Sequence, residues 1–96
     1  MEELNLDTFQ ELLKKSRILN KYGIRKISLF GSFIKGEQFN DIDILIEDAR
    51  DYNALVDFKQ ELESLTHKKV DLMIKKYANP IVLYRAQKDL IHVTAN

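Results

Sequence analysis

Residues 40–46 read Asn40-Asp41-Ile42-Asp43-Ile44-Leu45-Ile46, and the alternation within them decides the fold. A strand turns successive side chains to opposite faces, so Asp41 and Asp43 share one face while Ile42, Ile44 and Ile46 share the other. The pattern predicts a strand over residues 41 to 47 with one face fit for a core and one carrying carboxylates. Aspartate is depleted in strands, so its presence at alternate positions asks for a reason beyond folding.

Upstream, the short apolar run from Lys26 to Phe30 ends at Gly31 and reads as a strand, with Ile27 and Leu29 on one face. Downstream, Lys69 to Ile74 alternates again, placing Val70, Leu72 and Ile74 on one face and Asp71 and Met73 on the other. Phe9, Leu12, Leu13, Ser16, Leu19 and Tyr22 follow helical spacing before Gly23, predicting a helix over about residues 6 to 22. Leu55, Phe58, Leu62 and Leu65 predict a second over about residues 52 to 66. Asn79-Pro80 suits a helix start, with a third helix over residues 81 to 87 and a short edge strand over residues 89 to 93.

The link between the first two strands is about ten residues, too short for a parallel crossover, so they run antiparallel. The next link holds a whole helix, long enough for a parallel, right-handed return. The expected architecture is therefore α/β (α+β): a small mixed sheet with helices packed on one face. The Gly31-Ser32 turn, the start of the Asp41 strand and Asp71 converge at one edge of it.

Ninety-six residues, 45% of them apolar, support one core, so residues 1–96 are expected to form a single domain. There is no cysteine, which excludes a disulfide scaffold and thiolate metal sites. No apolar run could span a bilayer and nothing resembles a signal peptide, so the expected location is cytoplasmic and away from membranes. Fifteen basic and fifteen acidic residues cancel, which removes the non-specific attraction to nucleic acid that a basic domain would have.

Three carboxylates crowded at one sheet edge repel one another and take up protons unless a cation joins them. Hard oxygen ligands suit magnesium, which shares its coordination among one or two carboxylates, waters and substrate phosphates. Two such ions stabilise the attacking and the leaving oxygen of a displacement at phosphorus. The plain alternative is ordinary strand alternation, for an isolated D-x-D is common. Gly31 lets the backbone approach a ligand, Ser32 offers a hydroxyl, and a helical turn through Phe33, Ile34 and Lys35 would present free amides to an anion. Lys35 adds charge and Gly36 allows a left-handed exit, although any turn may carry such residues for its own sake.

Taken together, Gly31-Ser32-Phe33-Ile34-Lys35-Gly36, Asn40-Asp41-Ile42-Asp43-Ile44-Leu45-Ile46 and Val70-Asp71-Leu72 resemble the motif set of the DNA polymerase β-like nucleotidyltransferase superfamily, in particular its small MNT-type domains. The resemblance implies that Gly31 and Ser32, with Lys35, bind a nucleoside triphosphate. It implies that Asp41, Asp43 and Asp71 form the catalytic, magnesium-binding set, with Asp71 helping to activate an acceptor hydroxyl. The implied reaction transfers a nucleoside monophosphate from an NTP, ATP foremost, and releases pyrophosphate. Domains of this kind act as antitoxins beside HEPN-domain proteins, some by adenylylating a tyrosine of that partner, so a HEPN toxin is the implied partner here.

A reading from another class is a non-catalytic antitoxin or binding module that neutralises a partner by complex formation, and a homo-oligomer is also open. A receiver-like phosphoacceptor fold needs more strand and helix units than this length allows. His67 and His92 lack metal-ligand spacing and are expected at the surface or at caps. Asp48, Asp51, Asp57 and Asp89 are expected to be solvated, and Lys68, Lys69, Lys75 and Lys76 to guard a sheet edge. Phe39, Tyr77 and Tyr84 are equally suited to stacking on a base and to packing.

Overall fold

The computed structural model describes residues 4–36, 38–47 and 51–95, so Asp48 lies outside the described residues. Asn5 starts helix α1 (Leu6–Ser16) with a capping box: its side chain accepts from the Thr8 amide, and its own amide donates to the Thr8 hydroxyl. The single helix expected over residues 6 to 22 is broken at Arg17, which takes a left-handed conformation with φ 55°, and α2 (Ile18–Lys21) begins afresh. The reason is geometric. Nine residues make about two and a half turns, so a continuous helix would point Ile18 away from Phe9; the break lets both be fully buried.

The sheet runs β3-β2-β1-β4. Strands β1 (Lys26–Phe30) and β2 (Asp41–Ile46) are antiparallel, as the short link requires. Helix α3 (Tyr52–Thr66) carries the chain over to β3 (Lys69–Ile74), which lies parallel to β2. Helix α4 (Pro80–Ala86), capped by the Asn79 side chain, leads to β4 (Ile91–Thr94), antiparallel to β1 at the other edge. The last strand starts two residues later than its predicted position because Gln87–Asp89 forms a 3₁₀ turn.

Alternation sorts the two faces as the pattern predicts. Ile27, Leu29, Ile42, Ile44 and Val70 are fully buried in a cluster with Phe9, Leu13, Ile18 and Leu19 from the N-terminal helices and Leu55, Phe58 and Leu62 from α3. Each such side chain contributes about 1.5–3 kcal/mol on burial, so this face carries the stability. It leaves the carboxylate face free for other work. Leu45 faces the carboxylate side and is nevertheless fully buried, outside that cluster. Helix α4 lies on that side, where its Val82 and Ala86 border hollows shared with Phe30, Asp43 and Gly31. The first three helices thus take the core face, and α4 borders the other.

The crossover that positions β3 is tied down by polar groups. His67 ends α3 with φ 58° and its amide donates to the Glu63 carbonyl, a capping role. The Thr66 hydroxyl donates to the Leu62 carbonyl and accepts from the Lys68 amide, while a Glu63 carboxylate oxygen accepts from the Val70 amide at 2.8 Å. Among the described residues, no helix is long and apolar enough to cross a membrane.

Candidate active site

The register of the sheet arranges the carboxylate face in rows. Phe30 on β1 is the partner of Asp43, and Asp43 is the partner of Asp71 on β3. Asp41 lies two residues before Asp43 on the same face, beside the Lys69 position. The next row, Met73, Leu45, Ser28 and His92, lies beyond the aspartates and mixes apolar and polar side chains. There Ser28 is fully buried and its hydroxyl shares a 2.7 Å hydrogen bond with His92 Nδ1, so His92 serves a buried polar group. In the row after that, Glu47 meets Lys26 at 3.3 Å and Lys75 at 3.8 Å across partly exposed surface. Such pairs are worth little, and Lys75 guards the edge as expected.

The electrostatics single out Asp43. Burial first, then the charges of Asp71 and Asp41, push its carboxyl from the ordinary 3.8 up to about 6. A carboxylate held this way in the empty protein favours a proton or a cation. The chemistry of the donor set fits a hard divalent ion: half-buried Asp43 faces the loop, with Asp41 and the exposed Asp71 beside it. Among the described residues, however, no three such side chains already close on one point. Two carboxylates, waters and phosphates are the usual share for magnesium, so a preformed three-ligand cage is not required.

The turn after β1 is built against this group. Gly31 has φ 83°, and a Cβ there would overlap the Asp43 carboxylate, so only glycine lets the chain turn while the carboxylate keeps its place. The expected helical turn is realised as tight i to i+3 bonds: the Lys35 amide donates to the Ser32 carbonyl and the Gly36 amide to that of Phe33. Gly36 leaves with φ 72°. Phe33 anchors the turn, buried edge-to-face against Phe9 at 5.4 Å and Phe39 at 4.6 Å. Phe39 is therefore packed, with Lys68 Nζ 5.3 Å from its ring centre.

Two open hollows flank the carboxylates. One of about 540 Å³ is bordered by Asp43, Asp71, Phe30, Met73, Tyr77 and Val82. The other, about 300 Å³, lies between the turn and α4, with Phe30, Gly31 and Lys35 on one side and Val82, Arg85 and Asp89 on the other. The sequence gives no reason to place Arg85 and Asp89 in the site, since a basic residue near a helix end and an aspartate in a turn have ordinary explanations. Only the position of α4 brings them opposite Lys35. Asp51 caps α3 by accepting from the Asn53 and Ala54 amides, and Asp57 is exposed on the same helix.

Residues 13–94 match the family described as Polymerase beta, Nucleotidyltransferase. The chain belongs to this family. A relative from Methanocaldococcus jannaschii, provisionally named a protein adenylyltransferase, is 37% identical over 97 residues, covering 92% of this chain and 97% of its own. A solved toxin–antitoxin structure with AMP-PNP is 26% identical with a TM-score of 0.66, covering 88% of this chain and 73% of the other. The Shewanella oneidensis complex of a tri-AMPylated HEPN toxin with an MNT antitoxin is 25% identical with a TM-score of 0.62, covering 91% and 73%. Nucleotidyltransferases generally use a divalent metal. The nucleotidyltransferase fold and membership expected from the Gly31-Ser32 and Asp41-Ile42-Asp43 motifs are thus borne out.

Proposed function

We propose that this nucleotidyltransferase, acting as one domain in the cytoplasm, moves adenosine monophosphate from ATP onto a tyrosine hydroxyl of a HEPN-type partner and thereby serves as its antitoxin. The carrying observation is the row formed by Asp43 and Asp71 beside a Gly31 turn that leaves room for the Asp43 carboxylate. The related structure with AMP-PNP supports ATP as donor, and the AMPylated HEPN toxin of the related complex supports the acceptor.

In this assignment Asp41 and Asp43 hold magnesium, with Asp71 completing the set. The amides and hydroxyl of the Gly31-Ser32 turn hold the phosphates, and Lys35 adds a point charge. When bound, magnesium supplies the positive charge that draws the carboxylates together and offsets charge building on the phosphates. The acceptor oxygen forms a bond to the α-phosphorus, the bond from that phosphorus to the bridging oxygen breaks, and pyrophosphate leaves. The acceptor proton passes toward Asp71. Positioning is most of the catalysis in such a transfer, and a shallow carboxylate face leaves the acceptor to be positioned by its own protein surface.

The test combines the purified chain, a purified HEPN-domain protein, ATP and magnesium, and reads the intact mass of the HEPN-domain protein. A gain of one or more adenylyl groups, absent with Asp43→Asn, supports the proposal. Tight binding with no gain in mass, with all four triphosphates supplied, overturns it in favour of neutralisation by contact.

A further inference from the structure

Helix α4 turns one face toward the Gly31-Ser32 turn. Val82, Arg85, Ala86 and, in the 3₁₀ turn that follows, Asp89 recur at helical spacing, and all four border the smaller hollow opposite Gly31 and Lys35. Val82 and Ala86 make this wall apolar, and Arg85 places a guanidinium on it. Lys35 supplies a second cation from the other side. Among the described residues neither cation is in an ion pair, and Asp89 is the single carboxylate on the lining, which therefore stays net positive. Like charges brought to one hollow from two separate elements contribute nothing to folding, whereas an anion between them removes the conflict.

The place of the hollow says which anion. Gly31 lies against the Asp43 carboxylate, yet Asp43 and Asp71 border the larger hollow and not this one. In the proposed reaction the α-phosphorus lies at the aspartates. A group on the turn side of them is then the part of the triphosphate beyond the bond that breaks. At about 300 Å³ the hollow is at the small end of the range for ligand sites, which suits a compact group.

We infer that Arg85 is a nucleotide-binding residue that closes on the β- and γ-phosphates from α4 while Lys35 holds them from the turn. The inference rests on the function proposed above and adds a second wall to the phosphate site. A planar guanidinium donates two N–H bonds to one phosphate, a grip that lysine lacks. It also meets the negative charge that builds on the bridging oxygen as pyrophosphate leaves. Asp89, one turn beyond Arg85, works against this grip, for its carboxylate repels the phosphates and limits how long the product is held.

The test titrates the full chain by calorimetry with ATP, pyrophosphate and AMP in turn, each with magnesium at fixed ionic strength. The variants are Arg85→Ala, Arg85→Lys and Asp89→Asn. Both side chains are exposed, so folding should persist, checked by circular dichroism. Arg85→Ala should weaken ATP and pyrophosphate about tenfold or more and leave AMP within about twofold. Arg85→Lys should fall between, since the charge stays and the fork is lost. Asp89→Asn should tighten ATP and pyrophosphate by about threefold. Unchanged ATP affinity in Arg85→Ala overturns the inference. An equal loss for AMP also overturns it, since Arg85 would then act on the nucleoside or on the fold. Weaker ATP binding in Asp89→Asn would remove the opposed role given to that carboxylate. No acceptor takes part in these titrations, so the two failures are told apart. A parent that behaves as expected yet adenylylates no HEPN-domain protein fails the proposed function alone, and a parent that transfers while Arg85→Ala binds ATP normally fails this inference alone.

Discussion

Asp43 is the residue at which folding and function pull in opposite directions. Its carboxyl is raised to about 6 in the fold, against an ordinary value of 3.8, so the folded state binds the proton more tightly than the unfolded chain. The resulting stability is fully present below about pH 3.8 and is lost as pH rises through about 6. Asp43→Asn should therefore flatten this part of the stability profile and raise the melting temperature of the ligand-free protein at pH 7.5. With solvent screening of a half-exposed group discounted, the gain is on the order of 1 kcal/mol. The same variant should lose adenylyl transfer; a variant less stable at pH 7.5 that still transfers would reverse the assignment. Gly31→Ala attacks the same contact from the loop: a positive φ and the overlap with the Asp43 carboxylate should cost about 1–3 kcal/mol in urea unfolding and lower transfer roughly tenfold or more. Asp43 is legible in the sequence because aspartate is depleted within strands, whereas Gly31 gains weight only from its place between the first strand and the aspartates. Their mutual contact is not legible, since nothing in the spacing says how closely the turn approaches the carboxylate.

Among elements, the turn after β1 and the break between α1 and α2 show what periodicity hides. Phe33 lies within the proposed phosphate turn yet is buried against Phe9 and Phe39, so it acts as a hinge pin for Ser32 and Lys35. Phe33→Ala should cost about 3–5 kcal/mol, while Phe33→Leu should fold and show a raised KM for ATP with a smaller change in the acceptor KM. Equal changes in both would argue that the ring has no particular tie to the turn. Arg17 occupies a left-handed position, φ 55°, where glycine is unstrained. Relief of that strain outweighs the entropy glycine adds to the unfolded chain, so Arg17→Gly should stabilise by about 0.5 kcal/mol, read as a higher urea midpoint at unchanged m. The helical spacing from Phe9 to Tyr22 was legible, but the break was not, because it answers to where the sheet places its apolar face.

At the scale of the whole molecule, stability and ligand binding are linked. A core on one sheet face carries the fold and the carboxylate face carries the site, so filling the site should stabilise without rearranging the core. ATP with magnesium at about one hundred times its dissociation constant should add about 2.7 kcal/mol, whereas a chelator should remove the gain. The check is thermal shift with each ligand alone and together; a gain from ATP that survives chelation would exclude the shared magnesium site. By itself the sequence determined the two-faced strands, the antiparallel and parallel pairings and the three aspartates at one edge. Those follow from local rules: alternation within a strand, the reach of a short link, and the residues a tight turn admits. Tertiary structure alone decided that α4 borders the carboxylate face, that Arg85 and Asp89 stand opposite Lys35, and that Tyr77, Ile81 and Tyr84 remain uncovered. Those depend on where a short, weakly amphipathic helix comes to rest. That choice is settled by the shape of both faces together, which no window of neighbouring residues contains.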